Sequence, residues 1–162
     1  MPITTTDLVF RQSGGAANAN MNASLGGAVS TNAVTSALFD DVQSSEALAG
    51  DIEYRCIYVR NSHPTLTLIG AVFWLTSNTT GNRVFIGLGT SAIGGTEQTV
   101  ADENTAPAGV SFSQPSTKGA ALTIGDLAPN QTKAIWFRRS IAASTAGGTD
   151  TFNYRIEGDT AP

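Results

Sequence analysis

The chain has 162 residues and 41% hydrophobic content, enough for one domain that buries roughly two-thirds of its unfolded surface. Nine Lys and Arg against thirteen Asp and Glu give a formal net charge of −4, which supplies no electrostatic drive toward nucleic acid or a membrane surface. Cys56 is the only cysteine, so an intrachain disulfide and a Cys-rich zinc site are excluded, and His63 is the only histidine, which excludes a His cluster.

Helix formers are sparse, while Thr, Val, Ile, Gly and Asn are common and apolar runs are short. An all-β domain is therefore expected. Residues Met1 to Val34 contain a short strand candidate at Asp7 to Phe10, then Gly14-Gly15, an Asn/Ala stretch and Gly26-Gly27. No period runs long enough there for a core element. The reading is an extended N-terminal arm over 1–34, which orders on a neighbouring subunit through Val9, Phe10, Leu25 and Val29, followed by one β-sandwich domain over 35–162. Leu38 to Val42 is a strand candidate, and Ser44 to Gly50 reads as a helical turn capped by Ser44 or Ser45 and stopped by Gly50.

Asp51 to Leu75 reads as two long strands joined by the turn formers Asn61-Ser62-His63-Pro64. Ile52, Tyr54, Cys56 and Tyr58 share one face and Glu53 and Arg55 the other, so this strand is expected to begin half-solvated and enter a buried centre at Ile57. Cys56 is expected as a small buried residue, and His63 as a loop histidine.

Arg83 to Thr90 resumes as a strand, with Gly87 and Gly89 leaving room for a close backbone or ring. Ser91 to Gly119 is a long small-residue segment with extended pieces at Glu97 to Val100 and Gly109 to Phe112, the kind of loop that makes contacts. Ala121 to Ile124, Gln131 to Ile141 and Thr151 to Glu157 complete the strands. In the last, Phe152, Tyr154 and Ile156 point inward. Each one-sided sheet must bury its apolar face, so the expected architecture is a two-sheet β-sandwich with immunoglobulin-like or jelly-roll connectivity.

Chemistry has little to build on. Asp40-Asp41, Asp102-Glu103 and Glu157/Asp159 lack calcium-loop spacing and read as solvated, and Gly87-Leu88-Gly89 lacks the lysine and helix of a phosphate loop. No enzyme activity, metal or cofactor is expected. Arg138 and Arg139, with Lys133 nearby, form the compact basic feature, best used against acidic groups of a neighbour. A carbohydrate-binding module using Tyr58, Trp74 or Trp136 as a sugar platform is the alternative from another class. The N-terminus has no basic region followed by an apolar run, so synthesis in the cytoplasm is expected.

The runs DIEYRCIYVRNSHPTLTL, VFIGLGTSAIGGTEQTVADENTAPAGVSF and APNQTKAIWFRRSI resemble a family of small structural proteins of tailed bacteriophages, over most of Leu25 to Asp159. The resemblance implies a virion component, with capsid decoration or cement protein the favoured placement and tail or baseplate protein the alternative. It implies location on the capsid surface and, as partners, the major capsid protein or further copies of the chain. It assigns no binding residue.

Overall fold

A computed structural model describes residues 2–34, 37–145 and 151–160. The chain is an all-β domain with several antiparallel sheets. The strands are β1 (Leu8–Gln12), β2 (Gly26–Gly27), β3 (Asp51–Asn61), β4 (Leu68–Ser77), β5 (Val84–Leu88), β6 (Glu97–Thr99), β7 (Leu122–Leu127), β8 (Thr132–Ile141) and β9 (Asn153–Thr160). Among the described residues one short helix, α1 (Ser44–Ala49), precedes β3, and three single 3-10 turns complete the order.

Four strands form a sheet in the order β1-β3-β8-β5, three form β7-β4-β9, and β2 pairs with β6. The loop at Asn61 to Thr67 therefore carries the chain from one sheet into another, and β3 and β4 do not pair. Asn61 makes that crossing definite. Its amide donates to the carbonyls of Leu66 and Leu127, both at 2.8 Å, while its side-chain oxygen accepts from the His63 backbone N–H at 3.0 Å. His63 is a loop-bonding residue, its Nδ1 accepting from the N–H groups of Thr65 and Leu66.

The larger core cluster draws Ile57 and Val59 from β3, Ile135 and Phe137 from β8, Val84 and Ile86 from β5, and Leu68, Phe73, Leu75, Leu127 and Ile156 from the three-stranded sheet. Phe73, Phe137, Phe152 and Tyr154 meet there with ring centroids 5.2 to 6.2 Å apart, a range in which edge and tilted aromatic packing is favourable. The inward set expected on the last strand is thus in the core. A second cluster lies on the opposite face of β3 and β8, around Tyr54, Cys56, Tyr58, Ala134 and Trp136, covered by Leu25, Val29, Val110 and Phe112. Both faces of the central pair are buried, which explains why their sequences turn apolar on both sides.

Four expectations change. Glu53 and Arg55 are not solvated: they are 1% and 0% exposed, because the turn carrying Phe39 and the loop carrying Glu103 lie over that end of β3. Leu38 to Val42 is not a strand, although Leu38 and Phe39 are core residues inserted from an irregular segment. Helix α1 is capped by Gln43, whose N–H donates to the Glu46 carboxylate at 2.7 Å, with Gly50 as the stop. Finally, the first 34 residues do supply a core element. β1 pairs with β3 from Leu8↔Asn61 to Gln12↔Ile57, and Met21 is 8% exposed in the larger cluster. The expected boundary at 34/35 falls beside residues 35 and 36, which lie outside the described residues.

Gly87 does meet a close backbone. A Cβ there would stand 2.6 Å from the Ser111 carbonyl oxygen, so the 109–113 segment lies flat on β5 and Ser113 bridges to Ile86.

Candidate functional site

A network of buried charges sits where β3 and β8 emerge beneath the Phe39 turn. Glu53 and Arg139 are cross-strand partners, and the Arg139 Nε and terminal nitrogen both donate to the Glu53 Oε2. Arg139 also donates to the Asp40 carbonyl at 2.6 Å and lies 3.4 Å from the Asp40 carboxylate. On the same face Arg55 donates to Glu103 at 2.5 Å and lies 4.0 Å from Glu53. Both guanidinium groups approach the Phe39 ring, that of Arg139 at 4.9 Å from its centroid and that of Arg55 at 5.7 Å. Two cations in loose stacking with one ring, each tied to a carboxylate, fasten the 38–41 turn and the 102–105 loop to the sheet.

Burial pushes the Glu53 carboxyl up to about 7, against the opposing pull of Arg139 and Arg55. Beside this network a cleft of about 320 Å³ opens between Leu38, Phe39, Val84, Phe152 and Tyr154, with Arg83 and Asp41 at its polar margin.

A second arrangement holds the long 91–119 segment. Glu97 is 3% exposed, and its carboxylate accepts from the Ser91 N–H at 2.9 Å, the Ser91 hydroxyl at 2.7 Å and the Thr90 hydroxyl at 3.0 Å. Desolvation is the largest single influence and raises its pKa, but the hydrogen bonds from Ser91 and Thr90 together outweigh it and bring the carboxyl down to about 2. The Tyr58 hydroxyl donates to the Gly27 carbonyl at 2.6 Å and accepts from the Glu97 N–H at 2.9 Å, which ties β2 and β6 to β3. Burial pushes that phenol up to about 12. Cys56, fully buried, has its thiol pushed up by desolvation and behaves as a packing residue.

The candidate contact residues are all engaged within the protomer. Val9 stands opposite Arg60 in the β1–β3 ladder, and the Phe10 ring packs 5.0 Å from Tyr154 and 6.2 Å from Phe73. Leu25 and Val29 cover the second cluster. Arg138 stacks 3.9 Å from the Phe85 ring and 5.5 Å from Phe112. Arg139 is consumed by Glu53 and Asp40, and Lys133 by the carbonyls of Gly89 and Ser91, so the basic run does not form one patch. The carbohydrate platform is not available in this form: Tyr58, Trp74 and Trp136 are 1%, 6% and 0% exposed.

The acidic pairs are split in the same way. Asp40 joins Arg139 while Asp41 lines the cleft, and Glu103 joins Arg55 while Asp102 accepts from the Asn104 N–H and the Thr105 hydroxyl in its own loop. Among the described residues no group of three or more His, Cys, Asp or Glu side chains is placed to hold a metal ion, and no helix is long and apolar enough to cross a membrane. Comparisons with protein-family models, curated proteins and solved structures find no match to this chain.

Proposed function

We propose that the chain is a virion structural protein of a tailed bacteriophage, a capsid decoration or cement protein that stabilises contacts between major capsid subunits. In this reading the four- and three-stranded sheets are the two layers of a β-sandwich of immunoglobulin-like or jelly-roll type, and the loops at its ends carry the contact surface. The sequence resemblance motivates the proposal. The observation that carries it is how the charged groups are used: Arg139 to Asp40, Arg55 to Glu103, and Glu97 to Thr90 and Ser91 each fix a loop to a sheet.

Such loops enter a contact already ordered, so binding does not bear the full cost of immobilising them. Many copies on a shell then turn weak individual contacts into strong collective retention through effective concentration. The experiment is quantitative mass spectrometry and electron microscopy of purified virions of the phage that encodes the chain. The expected result is a fixed ratio of this chain to major capsid protein and density for it on the shell. Its absence from intact particles, or its presence in the tail alone, overturns the capsid assignment.

A further inference from the structure

The edges of the two larger sheets are treated differently. The outer side of β1 is covered by the 30–34 segment, through hydrogen bonds from the Gln12 N–H to the Asn32 carbonyl, from the Ser30 N–H to the Gln12 carbonyl and from the Val34 N–H to the Phe10 carbonyl. The outer side of β5 is covered by Ser113, which exchanges two backbone hydrogen bonds with Ile86. β9 has no such cover: among the described residues its backbone bonds to β4 alone, and Thr160 at its end accepts through its hydroxyl from the Ile3 N–H.

Of the devices that blunt an edge, β9 carries outward charges of mixed sign, Arg155, Glu157 and Asp159, but lacks the others. It contains no proline and no inward-pointing charge across its eight residues, and the extra residues in its register with β4 all lie on β4. Its inner face is Tyr154 and Ile156, its outer face Asn153, Arg155, Glu157 and Asp159. The opposite edge of the sheet, β7, is shorter and has register breaks on both sides of its pairing with Ala71.

We propose that β9 pairs antiparallel with β9 of a second copy, joining two three-stranded sheets into one continuous six-stranded sheet about a two-fold axis at Ile156. The choice of a second copy rests on the charge sequence of the strand. With Ile156 opposite itself, Arg155 of each protomer stands opposite Glu157 of the other, and Asn153 opposite Asp159. Sliding by two residues in one direction sets Arg155 against Arg155; in the other it sets Glu157 against Glu157 while keeping two Arg155–Asp159 pairs. Directly opposed like charges are destabilising, so each slip is less favourable than the register with Ile156 opposite itself, which has opposite-charge pairs and no like pair. Sliding by one residue puts the inner face of one strand against the outer face of the other.

One register therefore matches both charge and face, and it is self-complementary as an isologous contact requires. Arg155 and Glu157 already touch at 2.7 Å within one strand, and Lys118 lies 2.8 Å from Glu157, so Glu157 sits between two cations on this face. A groove of about 300 Å³ lined by Ile3, Leu8, Phe10 and Tyr154 runs beside the edge and adds apolar surface on its inner side. The pairing is independent of the virion reading and holds for the purified chain.

The test is sedimentation equilibrium of the full chain, as wild type, Arg155→Glu, Glu157→Arg and the double exchange, each checked for native circular dichroism. The wild type is expected as a dimer. Each single variant creates two like-charge contacts per dimer and is expected to weaken association by about tenfold or more, and the double exchange restores it. A monomeric wild type, a dimer indifferent to both single changes, or a double exchange no better than the singles overturns the proposal.

Discussion

Replacing Glu53 with Gln tests how the buried charge network stores stability. The Glu53 carboxyl is 1% exposed, and burial sets it at about 7 in the folded chain against 4.5 for an ordinary glutamate. The folded state therefore binds this proton more tightly than the unfolded state does. Protonation contributes stability that is fully present below about pH 4.5 and is lost as the pH rises to 7. A difference of that size is worth about 3 kcal/mol. For a domain of this length it corresponds to a fall in Tm of roughly 6–12 °C between those two pH values.

Glu97 does not confuse the reading. Its carboxyl is depressed to about 2, so its contribution is complete above pH 4.5 and is lost only as the pH falls below that. The assay is a series of thermal melts of wild type and Glu53→Gln from pH 4.5 to 8. The expected result is that the difference in Tm between them changes by that amount up to pH 7 and then levels. A constant difference across the window would refute the reasoning, and a change of opposite sign would show that Arg139 and Arg55 dominate over desolvation.

Ile156→Ala removes a 7% exposed residue of the larger core cluster and is expected to cost about 2–4 kcal/mol in equilibrium denaturation; a shift near zero would place the last strand outside the core. Asn61→Ala leaves the buried Leu127 carbonyl, the partly buried Leu66 carbonyl and the His63 N–H without their partner and is expected to cost about 2–4 kcal/mol, measured by urea unfolding with an unchanged m-value. Gly26→Ala puts a methyl group into the Gln98 carbonyl oxygen at a residue with φ of 93°; loss of the β2–β6 pairing is expected, read as faster amide exchange at Val100, whose N–H donates to the Leu25 carbonyl.

Strand existence was legible wherever the alternation is carried by apolar side chains. Ile135 and Phe137 against Ala134 and Trp136 separate cleanly into the two clusters, and Tyr154 and Ile156 point as their spacing requires. The failures share one cause. Leu38-Phe39 has the composition of a strand, but its residues fill the core from an irregular turn held by Arg139, a partner 99 positions away. Local pattern reports a residue's chemistry and cannot report which distant segment completes its environment. The same holds for the sheet assignment of β3 and β4, decided by Asn61 bonding across to Leu127.

The polar networks follow the same rule with larger energetic consequence. A period of two places Glu53 and Arg55 on one face, and that placement is correct; solvation is the part it misjudges. An unpaired buried charge costs several kcal/mol, so a charged pair at a strand's start is ordinarily solvated. Here Arg139 is 86 positions from Glu53, and Glu103 is 48 from Arg55, and these partners make burial tolerable. The signal available in the sequence was the excess of charge over need: Glu53 and Arg55 lie in a strand otherwise committed to the core, and Arg139 interrupts the apolar face of Ile135, Phe137 and Ile141. Two charged interruptions of opposite sign on apolar strand faces are mutual partners more readily than independent solvated sites. That inference pairs β3 with β8 and sets their register at Glu53↔Arg139, a step that hydrophobic alternation alone leaves open.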